Sequence, residues 1–229
     1  MNIYALQTAR EGSKSVPSKN LLKIDGKPLY KWNYEEAKKC PLIKRTFIST
    51  DIPEILISNH KDAIQRPEHL CTDTASHHET IIHGLYNIET IVQERVDILV
   101  ILLGNNKGAT SGDLVRGINK VKNFPGYDGA MSVGEYNMFN PYRAYKMNPN
   151  QGLDTYIDQE QYPDINNLNN KDAYGSVYFF NGSFWVCKRE NIIKNNGLQP
   201  FPWVGTNIAP IVQDSKIMEL DASWQIPLI

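Results

Sequence analysis

Short apolar runs alternate with longer amphipathic segments over most of this chain. The apolar runs, such as Ile3 to Leu6, are too short for helices and are typical of strands buried inside a domain. They predict strands over Asn2 to Gln7, Arg45 to Ser49, Asp97 to Leu103 and Gly129 to Val133. Segments with helical periodicity lie between them, over Leu29 to Lys39, Ser76 to Val92 and Ser111 to Lys122. This alternation favours an α/β fold with a mostly parallel sheet.

The pattern weakens between Met138 and Asp172, where Asn, Pro, Asp and Gln become frequent. Such a composition favours a projecting loop or hairpin excursion over a second core. Strand-like runs resume at Ser176 to Phe180 and at Phe184 to Cys187, and the Asn181-Gly182 pair between them predicts a two-residue hairpin turn. A chain of 229 residues without an internal repeat is expected to form one domain, residues 1–229, with residues 138–172 as the excursion.

Charge and cysteine content narrow the class of protein. The formal net charge is -1, from 24 Lys and Arg against 25 Asp and Glu, so nucleic acid is not an expected partner. No stretch approaches the roughly 18 apolar residues of a membrane span, and the N-terminus lacks a signal-peptide pattern. We therefore expect a cytoplasmic protein with no membrane partner. Cys40, Cys71 and Cys187 lie far apart in sequence and are expected to be free thiols.

The segment that follows the first predicted strand combines small residues with cations. Gly12 and Ser13 allow close approach of backbone N–H groups to a ligand, while Arg10, Lys14 and Lys19 could neutralise a triphosphate. The spacing matches neither the Walker A pattern nor the GxGxxG fingerprint, which disfavours a P-loop ATPase or a Rossmann dehydrogenase. A solvated basic loop is the alternative interpretation of this segment.

Other polar residues stand where strands are predicted to end. Arg66 offers a fixed cation, and Asp73 could either face a ligand or cap the helix that is predicted to begin near Ser76. Glu219 and Asp221 lie at alternate positions of a strand predicted over Lys216 to Asp221, so their carboxylates would share one face and could hold a divalent cation. Solvated acids at an exposed strand end are the alternative.

Taken together, these segments resemble the acylneuraminate cytidylyltransferases, the CMP-sialic acid synthetase family. Between Arg10 and Leu29 the chain carries that family's Arg, Gly-Ser-Lys, Pro, Lys-Asn-Leu and Gly-Lys-Pro-Leu in order. The Lys19-Asn20 pair favours the sialic acid branch over the related CMP-Kdo synthetases. Arg66 to Ser76 matches the family's Arg-Pro-x-x-Leu-x-x-Asp-x-Ala-Ser motif, and Glu219 to Asp221 resembles its Asp-x-Asp, with Glu in the first place.

The resemblance implies a Rossmann-like three-layer nucleotidyltransferase sandwich that acts as a homodimer through the 138–172 excursion. The implied reaction joins CTP and a nonulosonic or related 2-keto-3-deoxy acid to give a CMP-sugar and pyrophosphate, with Mg²⁺ or Mn²⁺ as cofactor. Arg10, Lys14 and Lys19 would be catalytic, and Asp221 and Glu219 would bind the metal. The implied nucleotide-binding residues are Ala9, Arg10, Gly12, Ser13, Lys14, Lys19, Asn20, Arg66 and Asp73. The implied substrate-binding residues are Asn105, Asn106, Tyr142 and Asn181.

The chain departs from the family after the strand predicted to end at Leu103. Where the family usually carries Gln-Pro-Thr-Ser-Pro-Leu-Arg, this chain has a glycine-richer loop from Gly104 to Gly112. The amides of Asn105 and Asn106 could still bind a base edge or sugar hydroxyls. The loop leaves two alternatives open. One is a nucleotidyltransferase of the same fold acting on a sugar 1-phosphate or another phosphorylated acceptor, and the other is a non-catalytic nucleotide-binding homologue.

Overall fold

The computed structural model describes residues 1–163 and 169–228, and its elements follow one another in a strand–helix alternation. The helices are α1 Leu29–Lys39, α2 Pro53–Ser58, α3 His77–Val92, α4 Ser111–Asn123 and α5 Arg189–Lys194. The strands are β1 Ile3–Ala9, β2 Lys23–Ile24, β3 Lys27–Pro28, β4 Thr46–Thr50, β5 Ala63–Gln65, β6 Ile98–Leu103, β7 Gly129–Glu135, β8 Tyr145–Met147, β9 Leu153–Thr155, β10 Tyr178–Lys188 and β11 Ile208–Val212.

Seven of these strands form one sheet in the order β11-β7-β10-β6-β1-β4-β5. Strand β1 runs parallel to both β4 and β6, β5 runs parallel to β4, and β11 runs parallel to β7. Only β10 is antiparallel to its neighbours, β6 and β7. The predicted α/β fold with a mostly parallel sheet is therefore confirmed.

Helices cover both faces of the sheet and make three layers. Helices α1 and α4 pack on one face through a cluster that includes Ala37 and Ile118, and α3 and α5 pack on the other through Leu85 and Ile192. Gly84 allows helix α3 to lie close to β1, since a Cβ atom at this position would be only 2.3 Å from Cδ2 of Leu6. Within the described residues, no helix is long and apolar enough to cross a membrane.

The predicted elements on the N-terminal side of the excursion are observed with boundaries shifted by at most two residues. Helix α3, for example, begins at His77 because Ser76 is its N-cap, whose Oγ accepts the N–H of Glu79. The excursion itself consists of short 3₁₀ turns and the exposed hairpin β8–β9. Residues 164–168 of the excursion lie outside the described residues. The single-domain organisation stays a prediction.

The hairpin predicted at Asn181-Gly182 is wrong, because β10 is one continuous strand through both residues. Its pairing register with β7 shifts between Phe180 and Trp185, so the pair lies in a bulge. Gly182 has φ +83°, which satisfies a bulge as well as it would a hairpin turn.

The strand predicted over Lys216 to Asp221 is also wrong. This segment is irregular, and the backbone N–H of Leu220 donates to the carbonyl of Asn105, 2.8 Å away, in the loop after β6. The buried Leu220 side chain fixes the segment against the domain. The alternation of apolar and acidic residues therefore comes from packing against a loop, without a partner strand.

Candidate active site

The carboxyl ends of β1, β5 and β6 open into a polar cleft of about 290 Å³. Ligands of parallel α/β sheets commonly bind at this edge, where the loops that follow adjacent strands diverge. The polar cleft is lined by Thr8, Ala9, Arg10, Lys19, Asn20, Arg66, Leu70, Thr72, Asp73, Ala75, His77, Thr80, Leu103, Asn105, Glu219 and Asp221. Three elements far apart in sequence thus supply its cations and its carboxylates.

Asp73 neutralises two of the predicted phosphate-binding cations. Its carboxylate lies 2.6 Å from Nη2 of Arg10 and 2.8 Å from Nζ of Lys14. Hydrogen bonds from Lys14 and Arg10 hold the pKa of Asp73 below its usual range. Arg10 also donates from Nη1 to the carbonyls of Gly12 and Cys71, at 3.0 and 3.2 Å. The guanidinium is therefore oriented before any ligand binds.

The cationic loop, Arg10 to Asn20, is held in place by three contacts. Nδ2 of Asn20 donates to the carbonyl of Arg10 over 2.8 Å, and the backbone N–H of Glu11 donates to Asp51 over 2.9 Å. The third contact is made by Gly104, directly after β6. It packs so tightly that a Cβ atom there would lie 2.8 Å from Oδ1 of Asn20 and 2.9 Å from Cβ of Ala9. Any side chain at Gly104 would displace the loop, so its glycine serves the packing of the site.

Arg66 brings a buried guanidinium to the cleft. Only 5% of the residue is exposed, and burial lowers the pKa of its guanidinium. It donates to the Oγ and the carbonyl of Ser49, at 3.2 and 2.8 Å. Among the described residues no carboxylate forms an ion pair with it. A buried cation that lacks an anionic partner is expected to take a ligand oxygen or base atom as acceptor.

Glu219 and Asp221 converge although their segment is not a strand. Nδ2 of Asn105 contacts carboxylate oxygens of both residues, at 3.5 and 3.2 Å, and Nζ of Lys19 lies 2.9 Å from Asp221. Burial, and next the negative charge of Asp221, raise the pKa of Glu219 to about 7. Gly182 makes room for this arrangement, because a Cβ atom there would overlap Cγ of Glu219.

A second cleft opens on the other side of the carboxylate pair. This aromatic cleft is lined by Tyr136, Phe139, Phe179, Phe180, Asn181, Met218, Glu219, Asp221 and Gln225. The ring of Tyr136 packs near Phe139 and Phe179, with centroids 6.2 and 6.0 Å apart, and its hydroxyl donates to the carbonyl of Ile217. Because both clefts share Glu219 and Asp221, a ligand in one would meet a ligand in the other at the carboxylates.

The structure brings most of the predicted site residues to these two clefts. Those in the polar cleft are Ala9, Arg10, Lys19, Asn20, Arg66, Asp73, Asn105, Glu219 and Asp221. Asn181 lines the aromatic cleft. Gly12, Ser13 and Lys14 lie outside both linings, with Lys14 reaching the polar cleft only through its ion pair with Asp73.

Two predicted residues lie away from both clefts. Asn106 is buried behind them, where its Nδ2 donates to the carbonyl of Asn181 and its Oδ1 accepts the N–H of Gly108. Tyr142 stacks on Tyr174 within the excursion, at a centroid distance of 5.2 Å. Asn106 thus supports the bulge of β10, and Tyr142 supports the excursion. Their direct contact with a substrate stays a prediction.

Sequence reasoning missed several lining residues. His77 lies at the start of α3 with Nε2 3.2 Å from Oγ1 of Thr8, and its ring packs near Trp185 and Trp203. Its position beside the Arg66 motif was the signal that could have placed it in the cleft. Tyr136 was not identified because its ring reaches the aromatic cleft by folding over Gly134, where a Cβ atom would lie 2.6 Å from the ring.

The fold and the site together define an α/β protein with a polar cleft, lined by cations and carboxylates, at the carboxyl edge of its parallel strands. The family model described as "Cytidylyltransferase" matches residues 5–106, which contain the cationic loop, Arg66 and the first residues of the loop after β6. Over these residues the chain is similar to the cytidylyltransferases. The resemblance read from the motifs is thereby confirmed.

Curated proteins that are similar to this chain include one from Escherichia coli and one from Campylobacter coli. The N-acylneuraminate cytidylyltransferase of Escherichia coli O18:K1:H7 is 37% identical over 86 residues, which are 36% of this chain and 20% of that protein. The match thus spans about a fifth of the length of this relative. The post-translational flagellin modification protein B of Campylobacter coli is 22% identical, and the alignment covers 96% of this chain and 90% of that protein.

Solved structures show the same fold over nearly the whole chain. A CMP:2-keto-3-deoxy-manno-octonic acid synthetase complexed with CTP has a TM-score of 0.68 at 17% identity, covering 99% of this chain and 96% of that one. A 4-diphosphocytidyl-2C-methyl-D-erythritol synthase from Anaerococcus prevotii has a TM-score of 0.64 at 11% identity, covering 99% and 93%. At these identities the likeness establishes the fold.

His77 generates a prediction about stability and pH. Burial, and then the positive charge of Arg66, lower its pKa to about 4, below the roughly 6.5 of an unfolded chain. The unfolded state therefore binds more protons between these values, and stability is lost as the pH falls through this window. We expect the free energy of unfolding of wild type to fall by about 1–2 kcal/mol more than that of His77→Gln between pH 7 and pH 5.

Urea unfolding at the two pH values measures this difference. Comparison with His77→Gln cancels the titration of other groups, including the opposite contribution of Glu219, whose raised pKa costs stability as the pH rises through it. The exposed His60→Gln substitution controls for the removal of any histidine. Equal pH slopes in wild type and His77→Gln would contradict the prediction.

Proposed function

We propose that this protein joins CTP and a nonulosonic, sialic-acid-like, or related 2-keto-3-deoxy acid to give a CMP-sugar and pyrophosphate. The observation that carries the proposal is the junction of two unlike clefts at Glu219 and Asp221. One cleft offers cations and exposed backbone to a triphosphate, and the other offers aromatic faces to a second ligand. A transfer between two bound substrates needs such a junction.

The polar cleft is the proposed nucleotide site. The loop that would receive the phosphates carries Arg10, Lys14 and Lys19, and Asn20 holds it in place. Asp73 now neutralises Arg10 and Lys14, so a triphosphate must displace it or share its partners. Because phosphate carries more charge than one carboxylate and can accept several hydrogen bonds, it can compete for the same donors. Arg66 is the proposed contact to the base or ribose.

The aromatic cleft is the proposed acceptor site. The rings of Tyr136, Phe139 and Phe179 can pack against the C–H faces of a sugar ring, and the carboxylate pair marks its inner end. The anomeric hydroxyl oxygen would form a bond to the α-phosphorus while the bond to the bridging oxygen of the β-phosphate breaks. Pyrophosphate then leaves with the electron pair of the broken bond, and the hydroxyl proton passes to water. Lys19 and Arg10 stabilise the charge that develops on the departing phosphates.

Glu219 and Asp221 are the proposed ligands of Mg²⁺ or Mn²⁺. Two carboxylates within reach of one amide, one of them with its pKa raised to about 7, fit a cation that would relieve their repulsion. Bound there, the metal would neutralise charge on the reacting phosphates. The described residues contain no cluster of three acidic, His or Cys side chains, so other ligands would come from phosphate and water.

The names of the relatives support this choice of substrates. The relatives and neighbours that are named for an N-acylneuraminate, a 2-keto-3-deoxy acid and CTP act at the class of acceptor and nucleotide proposed here. The Gly104 to Gly112 loop, which differs from the family pattern, is what keeps a phosphorylated acceptor or loss of turnover as alternative outcomes of the test.

We also infer a homodimer formed through the excursion. The side chains of Met138, Phe139, Tyr145 and Tyr156 are between 61% and 63% exposed, an unusual density of exposed large apolar residues. Phe139 also lines the aromatic cleft, so a partner that buries this surface would lie beside the acceptor site.

The proposed function predicts nucleotide and acceptor selectivity. Pyrophosphate release is measured with each of four nucleoside triphosphates against nonulosonic acids, 2-keto-3-deoxy acids and sugar 1-phosphates. We expect release above background only with CTP and an acidic sugar. Release with a sugar 1-phosphate would favour the alternative acceptor class, and binding of CTP without release would identify a non-catalytic homologue.

The proposed metal site predicts that activity requires a divalent cation. We expect EDTA to abolish pyrophosphate release and Mg²⁺ or Mn²⁺ to restore it. Asp221→Ala should lower kcat by at least about 10²-fold, because several kcal/mol of charge stabilisation in the transition state would be lost. The exposed Asp214→Ala substitution, in the same segment but outside both clefts, is the control. Full activity in EDTA would rule out this role for the carboxylates.

The cationic loop predicts a larger effect on turnover than on CTP binding. Lys14→Ala should lower kcat by about 10²- to 10³-fold, the usual loss for one preorganised group that stabilises transition-state charge, and Lys19→Ala should behave alike. The exposed Lys23→Ala, just beyond the loop, is the matched control. Kinetics and calorimetric CTP binding measure both parameters. If Lys14→Ala and Lys19→Ala kept both within about threefold, less than 1 kcal/mol, the loop would be a solvated basic turn.

A further inference from the structure

The segment that carries Glu219 and Asp221 has no neighbouring strand to hold it. It leaves β11 after Val212 and remains irregular up to the 3₁₀ helix Ser223–Leu228. Between Met218 and Ala222 its backbone is tied to the rest of the domain by the bond from Leu220 N–H to Asn105 and by the reverse contact from Nδ2 of Asn105 to Leu220. The direction in which Asp221 points therefore depends on further side-chain anchors.

Gln225 supplies such an anchor. Its Oε1 accepts two backbone N–H groups, from Asp221 and from Ala222, each at 2.7 Å. These N–H groups precede a helical turn, where backbone donors have no partner within the helix. Only the oxygen of the amide can accept, so the two donors fix which way the amide is turned, with Nε2 facing Sδ of Met218 at 3.6 Å.

The two hydrogen bonds to Gln225 orient the carboxylate of Asp221 through the backbone. Holding the N–H groups on both sides of the Asp221 α-carbon sets the two peptide planes that join there, and so sets the direction of its side chain. In this orientation the carboxylate lies 2.9 Å from Nζ of Lys19 and 3.2 Å from Nδ2 of Asn105. More than half of the Asp221 side chain is exposed, so packing alone does not hold it.

We propose that Gln225 is a positioning residue for the divalent-cation site formed by Glu219 and Asp221. Gln225 does not ligate the cation. It holds the backbone from which Asp221 projects, so that the two carboxylates converge on one point. This inference rests on the proposed function, because it takes these carboxylates to be the ligands. Groups that orient metal ligands commonly change metal affinity by about 10- to 100-fold when they are removed.

Two substitutions at the same position separate this role from simple support of the fold. Gln225→Met keeps the length of the side chain but has no carbonyl oxygen to accept the two N–H groups. Gln225→Glu keeps an acceptor oxygen in the same place. Ser223→Ala changes an exposed residue of the same turn and is the matched control.

Binding of Mn²⁺ alone is measured for each protein by the electron paramagnetic resonance signal of the free ion. We expect Gln225→Met to weaken Mn²⁺ binding about 10-fold, with Gln225→Glu no weaker than wild type and Ser223→Ala unchanged. In pyrophosphate release the metal concentration for half-maximal rate should rise by a similar factor in Gln225→Met, while the KM for CTP at saturating metal stays within about twofold. Thermal unfolding midpoints are compared in the absence of metal. Gln225→Ala replaces Gln225→Met if the latter does not fold.

Three outcomes would overturn the inference. They are equal Mn²⁺ affinity in wild type and Gln225→Met, a loss in Gln225→Glu as large as in Gln225→Met, and no Mn²⁺ binding by wild type. Failure of the proposed function has a different signature, since wild type would then release no pyrophosphate with any nucleotide, whatever the effect of Gln225 on Mn²⁺.

Discussion

The parallel pairing of β1 with β4 and β6 is the constraint on which the site depends. Together with the parallel pairing of β4 with β5, it makes the ends of β1, β5 and β6 meet at one edge, so that the loop after Ala9, the motif at Arg66 and the loop after Leu103 border a single cleft. The close contact of Gly104 with Asn20 and Ala9 then limits how far two of these loops can separate. Because this edge is assembled by backbone pairing, its cations are brought together before a ligand binds.

Charge balance is the second constraint. Cations gathered at one strand edge would repel one another, and Asp73 and Asp221 offset this repulsion with ion pairs to Arg10, Lys14 and Lys19. Such exposed pairs contribute little to stability, so an incoming polyanion can exchange with them at low cost. The carboxylates that offset this repulsion thus leave the cations available to a ligand. Arg66 differs, because its burial among neutral acceptors keeps it in place throughout.

The sequence predicted the sheet and its helices well because these elements are defined by local periodicity. It failed where one local signal serves two structures. The Asn181-Gly182 pair indicates a left-handed glycine, but whether that glycine makes a hairpin or a bulge depends on the pairing of Trp185 with Met131 across the sheet. The alternation of apolar and acidic residues before Asp221 likewise indicates that one face of the segment is buried and the other exposed. It does not reveal that the segment packs against a loop, without a partner strand.

The same distinction applies to the site. The chemistry of short motifs, together with their resemblance to a known family, was enough to make Arg10, Lys19 and Asp221 candidate site residues. It could not reveal that Asp73 would pair with Arg10, 63 positions away, or that Asn105 would contact two carboxylates. Those contacts arise only when the topology closes the cleft. Asn105 and Asn106 therefore make contacts that orient other residues, a role that their sequence positions do not indicate, and their direct contact with a substrate stays a prediction.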